Sequence, residues 1–146
     1  IWHGFRVARR ARVLNVGIEE NQSVKLIACH DGYSKLQGSP IHHRTWKLNS
    51  ESLTITDSVT GTALHEASLR IHLHPESLAQ IDDRTCIVTT NDRFVVQIEN
   101  SNWGPVLNKA SYHPSFGVIV PNQVLSFEHE GFAPFKTKTT ISWQSQ

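Results

Sequence analysis

Apolar and polar residues alternate along most of this chain. In FRVARRARVL, residues 5–14, one side of an extended backbone carries Phe5, Val7, Ala11 and Val13, and the other side carries Arg6, Arg10 and Arg12. A period of two is typical of a half-buried β-strand, because successive side chains point to opposite faces. The pattern therefore predicts a strand here. Its arginines form either a basic patch that attracts an acidic polysaccharide or an ordinary solvated face.

The same alternation recurs at short intervals to the end of the chain. Further strands are predicted for SVKLIACH, IHHRTWKLN, SLTITDSVTG, ALHEASLRIHLHP, AQIDD, RTCIVTT, RFVVQIE, FGVIV, QVLSFEHE and TKTTISW. Turn signals separate them, including Asp31-Gly32, QGSP at residues 37–40 and Gly61. No window shows the apolar stripe of a helix. Short strands between turns predict an all-β fold, an antiparallel two-layer β-sandwich formed by residues 1–146 as a single domain.

The predicted core comes from the inward-facing positions of these strands. Its members are Val7, Val13, Leu26, Ile55, Ile71, Val88, Val96 and Ile141. With 146 residues, 38% of them hydrophobic and 18% charged, the chain is long and apolar enough to bury such a core. Cys29 and Cys86 both lie in apolar strand-like runs, so two buried thiols are favoured over a disulfide.

Charge and hydropathy narrow the classes of partner. The formal net charge is +1 with neutral histidines, which gives no argument for nucleic-acid binding. No run of about 18 apolar residues predicts a membrane span. The nine histidines are more informative, because an unperturbed imidazole titrates near pH ~6.5 and mild acid would charge many of them.

The stretch CHDGYSKLQGSPIHHRTW, residues 29–46, concentrates polar chemistry in one place. His30 and Tyr33 flank the Asp31-Gly32 turn and are candidates for touching a sugar. The alternative is that His30 bonds a neighbouring backbone group while the turn only reverses the chain.

The second half of this stretch is a predicted strand. His42 and His43 point to opposite faces and cannot both line one site. Arg44 either grips a substrate carboxylate with two hydrogen bonds or pairs with an acidic residue across the sheet. Trp46 is placed to stack on a sugar ring. The predicted substrate-binding residues are His30, Tyr33, Arg44 and Trp46.

A second histidine pair lies further along the chain. His72 and His74 share a strand face with Arg70, and a H-x-H pair can hold zinc when a third protein ligand completes the site. Asp57, Glu66 or His65 could supply that ligand, but no C-x-x-C or H-E-x-x-H signature supports a site. No metal is therefore predicted in this chain, and His72 and His74 remain weak candidates.

The order of the segments is more distinctive than any one of them. WHGFRVARRARV, HDGYSKLQGSPIHHRTW, LTITDSVTG, RIHLHP and YHPSFG follow one another. This series resembles the C-terminal β-domain of the heparinase II/III-like proteins, a family of polysaccharide lyases, over essentially the whole chain. The resemblance implies a larger protein in which a helical α/α-toroid precedes the β-domain and the substrate cleft lies between them.

The resemblance also implies a reaction and a place for the catalytic groups. The reaction is β-elimination of a uronic-acid-containing polysaccharide, with general acid and base groups that contribute roughly 10²–10⁴-fold each. In the family the catalytic tyrosine comes from the toroid. A His-x-His-x-Asp-like motif of the β-domain supplies a catalytic histidine and often zinc ligands, and it lies upstream of the segment matched by WHGFRVARRARV. No part of this chain reads H-x-H-x-D. No catalytic residue is therefore predicted here, and zinc is a candidate cofactor of the intact protein only.

Two functions from different classes remain open at this point. The first is the non-catalytic β-domain of a bacterial lyase, periplasmic or secreted as the resemblance implies, with the missing toroid and an acidic polysaccharide as partners. The second is a stand-alone carbohydrate-binding or protein-interaction module. The reading frame upstream of Ile1 distinguishes them, because a long helical region would favour the first and an immediate start codon or secretion signal the second.

Overall fold

The computed structural model describes residues 10–20, 23–90 and 94–145. Eleven strands follow one another in these ranges: β1 (Val13–Glu20), β2 (Val24–His30), β3 (His42–Leu48), β4 (Ser52–Val59), β5 (Leu64–His72), β6 (Leu78–Asp82), β7 (Thr85–Thr89), β8 (Phe94–Asn100), β9 (Pro105–Tyr112), β10 (Val120–Phe132) and β11 (Phe135–Ser145). No helix occurs in the described ranges, and none of their segments is a long apolar helix of the kind that crosses a membrane.

The strands form two antiparallel sheets of unequal size. The large sheet has the order β1-β2-β3-β4-β11-β8-β7-β6, and the small sheet has the order β5-β10-β9. They pack face to face, so the predicted all-β two-layer sandwich is confirmed. Because three strands cannot cover eight, one end of the large sheet has an inner face that the small sheet does not reach.

The core lies where the small sheet covers the large one. Leu125 and Phe127 of β10 are fully buried against Cys86, Val88 and Ile98 of β7 and β8. Residues 124–127 of β10 are all buried, and β10 is the central strand of the small sheet. Both cysteines are buried and unbonded, as predicted, and five strand spacings of about 4.8 Å separate β2 from β7. Burial raises the pKa of the Cys86 thiol.

The predicted core residues meet different outcomes. Ile55 and Val88 are buried; Leu26, Ile71, Val96 and Ile141 are half-buried, and the last three pack against the core. Val13 was predicted as core and is wrong, because β1 is an edge strand beyond the small sheet and Val13 is 68% exposed. Val7 lies outside the described residues.

Three strand predictions need correction. The strand predicted over residues 5–14 is wrong for residues 10–12, which are not in a strand, and β1 begins only at Val13; residues 5–9 lie outside the described residues. FGVIV is also wrong as a strand, since Gly117 adopts a φ of 75° in a turn and only Val120 belongs to β10. Strand β9 was not predicted, because Asn108 and Lys109 interrupt its apolar pattern.

Candidate functional site

A cleft of about 260 Å³ opens between the two sheets beside β5, the edge strand of the small sheet. Its wall is formed by the 31–41 loop, the inner face of β3 and β4, and five consecutive residues of β5. The lining residues are Tyr33, Leu36, Pro40, His42, Arg44, Asp57, Val59, His65, Glu66, Ala67, Ser68, Leu69, Trp103 and Phe135. The cleft therefore combines apolar surface with a few converging polar groups, as small-ligand sites do.

Strand register brings the polar groups of the cleft together. His42 lies opposite His30 of β2, and Arg44 lies opposite Asp57 of β4. Opposed residues of antiparallel strands share a face and place their Cβ atoms roughly 4.5–5.5 Å apart. His43 pairs with Cys29 and Ser58 and points to the other face, as the sequence predicts.

Asp57 is the buried centre of this group. Its Oδ1 accepts hydrogen bonds from His42 Nε2 at 2.6 Å and from Arg44 Nε at 2.6 Å, and its Oδ2 accepts one from Arg44 Nη2 at 3.1 Å. Burial alone would raise the pKa of Asp57, but the hydrogen bonds from His42 and Arg44 outweigh it and hold that pKa below its usual range. Asp57 is therefore a carboxylate at neutral pH.

His30 and His42 extend this network, and their hydrogen bonds all run in one direction, from the Gly32 amide towards Asp57. The Gly32 backbone N–H donates to His30 Nδ1 at 3.1 Å, so this ring nitrogen is an acceptor. The His30 proton then sits on Nε2 and is donated to His42 Nδ1 at 3.1 Å. His42 in turn carries its proton on Nε2 and donates it to Asp57. We call Gly32, His30, His42 and Asp57 the histidine relay.

Both rings of the histidine relay are neutral in this arrangement, and every ring nitrogen is already used. Burial lowers the pKa of His30, the neighbouring His42 and Arg44 lower it further, and Asp31 opposes the shift only in part. A neutral imidazole has one donor and one acceptor nitrogen. Neither His30 nor His42 therefore has a lone pair available to take a proton from a substrate.

Aromatic side chains form the rest of the site. Tyr33 is 51% exposed at the mouth of the cleft, with its ring centroid 5.3 Å from that of His30. Deeper in, Trp103 stacks on His129 at 5.1 Å with the rings nearly parallel, and Phe135 meets both edge-on. The Trp103 backbone is held by Asn100, whose Oδ1 accepts its N–H at 2.9 Å.

The structure brings together three of the four predicted binding residues and extends the set. Tyr33 and Arg44 line the cleft, and His30 lies beside Tyr33 and is bonded to His42 without lining the cleft itself. Trp46 lies next to the site, with the Arg44 guanidinium 5.8 Å from its ring centroid. His30 bonds the Gly32 backbone, and Arg44 pairs with an acid across the sheet, which are the two alternatives that the sequence had left open. Binding of substrate by these residues stays a prediction.

Sequence reasoning missed three contributors to the site. Asp57 had been considered only as a third zinc ligand and His42 only as a neighbour of His43, and the sequence did not single out Trp103. The signal that could have found Asp57 is strand register, since Arg44 lies opposite Asp57 when the neighbouring strands pair Trp46 with Ile55.

The described ranges contain no cluster of side chains that supports a metal site. His72 and His74 are exposed; Asp57 is bound to Arg44 on the other sheet, and no group of three His, Cys, Asp or Glu side chains is arranged there to hold a metal ion. His74 Nδ1 instead accepts the Glu76 N–H at 3.3 Å.

A basic surface lies next to the cleft mouth. Arg10, Arg12 and Lys35 are exposed and surround Asp31, whose carboxylate accepts the Arg12 backbone N–H at 2.6 Å. Three cations against one anion leave this surface with a net charge of about +2, by counting the formal charges of these four side chains. Arg6 of the predicted basic patch lies outside the described residues.

Several solved structures share this fold. The chain is similar to heparan sulfate lyase HepC from Pedobacter heparinus, with a TM-score of 0.78 and 14% identity over 94% of this chain and 22% of that one. The heparinase III-BT4657 gene product gives 0.74 and 12% over 93% and 22%. A putative aldose 1-epimerase from Escherichia coli K12 gives 0.57 and 9% over 94% and 69%.

These similarities establish the fold, and the sequence establishes the family. This chain spans about 22% of the length of the lyases that it matches. No curated protein matches it in sequence. The profile of the family described as "Heparinase II/III-like, C-terminal" matches residues 1–144, and the chain therefore belongs to the heparinase II/III-like C-terminal family.

Proposed function

We propose that this chain is the C-terminal β-domain of a polysaccharide lyase, which in the intact protein cleaves a uronic-acid-containing polysaccharide by β-elimination. The family match over residues 1–144 carries the proposal. The fold of heparan sulfate lyase HepC supports it, as does a cleft whose mouth adjoins exposed cations. A net positive surface attracts a polyanion over a distance comparable with the Debye length, roughly 8–10 Å at moderate salt.

The proposed role of the cleft is to hold an acidic sugar unit. Two of the three nitrogens of Arg44 are engaged with Asp57, while its Nη1 donates to no described residue. That nitrogen and the Tyr33 hydroxyl are the proposed contacts to the sugar carboxylate and hydroxyl groups. A two-bond grip on the carboxylate by Arg44 alone is not part of the proposal, because Asp57 already takes that edge of the guanidinium.

The chain alone is proposed to lack lyase activity. Abstraction of the proton beside the carboxylate requires a base with an accessible lone pair. The ring nitrogens of His30 and His42 are all committed to the histidine relay, so neither supplies one. The base and the acid of the reaction are then contributed by other parts of the longer protein, the helical toroid and the His-x-His-x-Asp-like motif. That protein is proposed to be bacterial and periplasmic or secreted.

The same proposal gives a role to the uncovered end of the large sheet. Val16 and Ile18 of β1 lie on the inner face beside Ala28 and Leu26, yet are 57% and 63% exposed. A contiguous apolar face on a folded domain marks an interface. We assign this face and the Tyr33 turn to contact with the preceding part of the lyase. Trp2, the other aromatic expected at that interface, lies outside the described residues.

The test uses the full-length protein and the ultraviolet absorbance of the unsaturated uronate product. Tyr33→Phe and Arg44→Lys are each expected to lower kcat/KM about ten-fold or more, because a lost hydrogen bond to a charged group costs roughly 1.5–3 kcal/mol. His113→Ala, exposed in the β9–β10 loop, is the matched control and should leave turnover unchanged.

Other outcomes separate the alternatives. Sustained turnover by the 146-residue chain alone would overturn the assignment of the chemistry to the rest of the protein. Binding of polyuronate by the chain, with no turnover by the full-length protein, would favour the binding-module function. Loss of activity in both cleft variants through unfolding alone would show up as a lowered melting temperature and would refute a substrate-contact role.

A further inference from the structure

The histidine relay has a property that follows from the direction of its hydrogen bonds. Only a donor can face Asp57, and only an acceptor can face the Gly32 N–H, so the two ends fix the tautomers of both rings between them. The relay therefore has one fully bonded state, with both histidines neutral. Any added proton must break at least one of its bonds.

The bond that is lost is the one from the Gly32 N–H to His30 Nδ1 whenever the two rings stay bonded to each other. A proton on His30 Nδ1 places an N–H against the Gly32 N–H directly. A proton on His42 Nδ1 meets the His30 Nε2–H, and His30 can become an acceptor there only by moving its own proton to Nδ1. In both cases His30 acquires an Nδ1–H that opposes the Gly32 amide. Asp57 holds the other end of the relay through His42.

The broken bond lies in the turn that carries Tyr33. Residues 31–34 form this turn, which the Ser34 N–H closes by donating to the Asp31 carbonyl at 2.9 Å. A Cβ on Gly32 would lie 2.9 Å from His30 Nδ1 and 3.1 Å from the Ala11 Cβ, so the turn and the His30 ring are in close contact. Movement of the turn moves Tyr33, whose ring lies against His30 and within 6.4 Å of His42.

We propose that His42 and Asp57 are positioning residues that act through His30 and Gly32 to hold Tyr33 at the mouth of the cleft, and that one added proton releases it. The inference rests on the proposed function only in taking Tyr33 as a substrate contact. Substrate binding through Tyr33 is then strongest when the relay is neutral and weakens when the relay is protonated.

Other charged groups face the relay and bear on its protonation. Asp31 of the turn and Arg44 of β3 are charged, the titratable Tyr33 lies against His30, and His65 and Glu66 of β5 line the cleft together with His42 and Asp57. Arg44 opposes an added proton and Asp31 favours one. Burial acts in the same sense as Arg44, and it lowers the pKa of His30 most strongly.

The experiment uses the ¹⁵N-labelled chain, without substrate. Two-bond ¹H–¹⁵N spectra distinguish the two tautomers of a neutral histidine. Above the titration of the relay, His30 and His42 should both report Nε2–H. As the pH is lowered, His30 should take up a proton at Nδ1, and the ring resonances of Tyr33 should shift at the midpoint of that change, which is the relay midpoint.

A pair of glycine variants tests the mechanical link without changing an ionisable group. In Gly32→Ala the Tyr33 resonances should lose their shift at the relay midpoint, because the added methyl displaces His30 from the turn. Gly17→Ala is the matched control, since no heavy atom lies within 4 Å of its Cβ, and it should titrate as the wild type does.

The outcomes of this experiment and of the lyase assay are independent. An Nδ1–H tautomer at His30 in the neutral state, or Tyr33 resonances that stay unmoved through the relay midpoint, would overturn the positioning role. If both NMR results hold and the full-length protein cleaves no polyuronate, the proposed function fails while the relay stands. The wild-type titration decides the question even if the Gly32→Ala chain does not fold.

Discussion

The two halves of the large sheet share the same strand pattern and have different environments. In the half under the small sheet, Val88 and Ile98 are 5% and 2% exposed. In the open half, Val16 and Ile18 occupy equivalent inward positions and are 57% and 63% exposed. Alternation in the sequence therefore indicates which side chains face inward. Whether an inward-facing side chain is buried depends on whether the small sheet covers it.

Each half also contains a buried polar network, and the two networks differ in what they hold. In the covered half, Asn100 bonds Thr137, Thr139 and the Trp103 and Asn102 amides, so that its side chain is fully used within the fold. In the half that faces the cleft, the network of Asp57 ends on groups at the cleft mouth, Tyr33 and the Nη1 of Arg44. The first network closes the core, and the second connects the sheet to a binding surface.

The largest expected effect on stability distinguishes the two halves of the large sheet by the burial of their side chains. Leu125→Ala in the covered half should destabilise the chain by about 3–5 kcal/mol, because it leaves a cavity among fully buried neighbours. Ile18→Ala in the open half should cost no more than about 0.5 kcal/mol. Urea unfolding followed by tryptophan fluorescence measures both. Equal losses would mean that the open half is covered in solution.

The second prediction concerns the network of the covered half. Asn100→Ala should cost about 2–3 kcal/mol, because the buried Thr137 and Thr139 hydroxyls and two backbone amides lose their partner. The exposed Asn108 donates one hydrogen bond, from its Nδ2 to Ser126 Oγ at 2.9 Å. Asn108→Ala is the control and is expected to cost about 0.5–1 kcal/mol. A smaller loss for Asn100→Ala than for the control would contradict the structural role of this network.

The third prediction concerns the network that faces the cleft. Asp57→Ala should cost about 2 kcal/mol, since it leaves His42 and the partly buried Arg44 without an acceptor. The pKa of Asp57 lies below the ordinary value. Its carboxylate therefore stabilises the fold at pH values above the unfolded-state pKa of about 3.9. That stabilisation is lost as the pH falls through the folded-state pKa. Asp57→Asn should accordingly flatten the acid limb of the stability curve, and an unchanged limb would refute the assignment.

The sandwich fold and the polar stretch at residues 29–46 could be predicted from the sequence. The strands and core positions that were predicted wrongly have physical explanations. Alternation located β2 to β8 because their inward positions are apolar. Strand β9 was missed because Leu107 packs against the core while the polar Asn108 and Lys109 that follow it are exposed and interrupt the apolar pattern. Val13 was placed in the core because no local pattern reveals that the small sheet ends before β1.

The candidate site also divides into residues that local sequence patterns predict and residues that only the tertiary structure brings in. His30, Tyr33 and Arg44 could be chosen from residues 29–46 because the turn and the strand parity are local. Asp57, His65 and Trp103 enter the cleft from other strands and loops, and only tertiary contacts bring them there. The tautomers of His30 and His42 depend on a backbone amide and a carboxylate 25 residues apart in sequence, Gly32 and Asp57.

The fourth prediction follows from the lowered pKa of His30. Because the unfolded chain binds this proton near pH ~6.5 and the folded chain only at lower pH, stability should fall as the pH decreases from neutral through the folded-state pKa. His30→Gln should reduce this slope. His113→Gln, in an exposed loop, should leave it unchanged. Chemical denaturation between pH 7.5 and 5 as a rough working window measures the slopes, and parallel curves for all three proteins would contradict the role of the relay.

The smallest expected effect on stability tests the open half as an interface. Ile18→Lys should change the free energy of unfolding by no more than about 0.5 kcal/mol, because the side chain is 63% exposed. It should nevertheless weaken self-association of the isolated chain, since a charge on an apolar edge strand opposes strand pairing and apolar contact. Leu78→Lys is the matched control: β6 is the other edge of the same sheet, and Leu78 is 76% exposed. Sedimentation equilibrium should show a larger loss of dimer for the β1 variant than for the β6 variant. A monomeric wild type, or equal effects of the two lysines, would show that exposure of apolar residues at β1 is not specific to an interface.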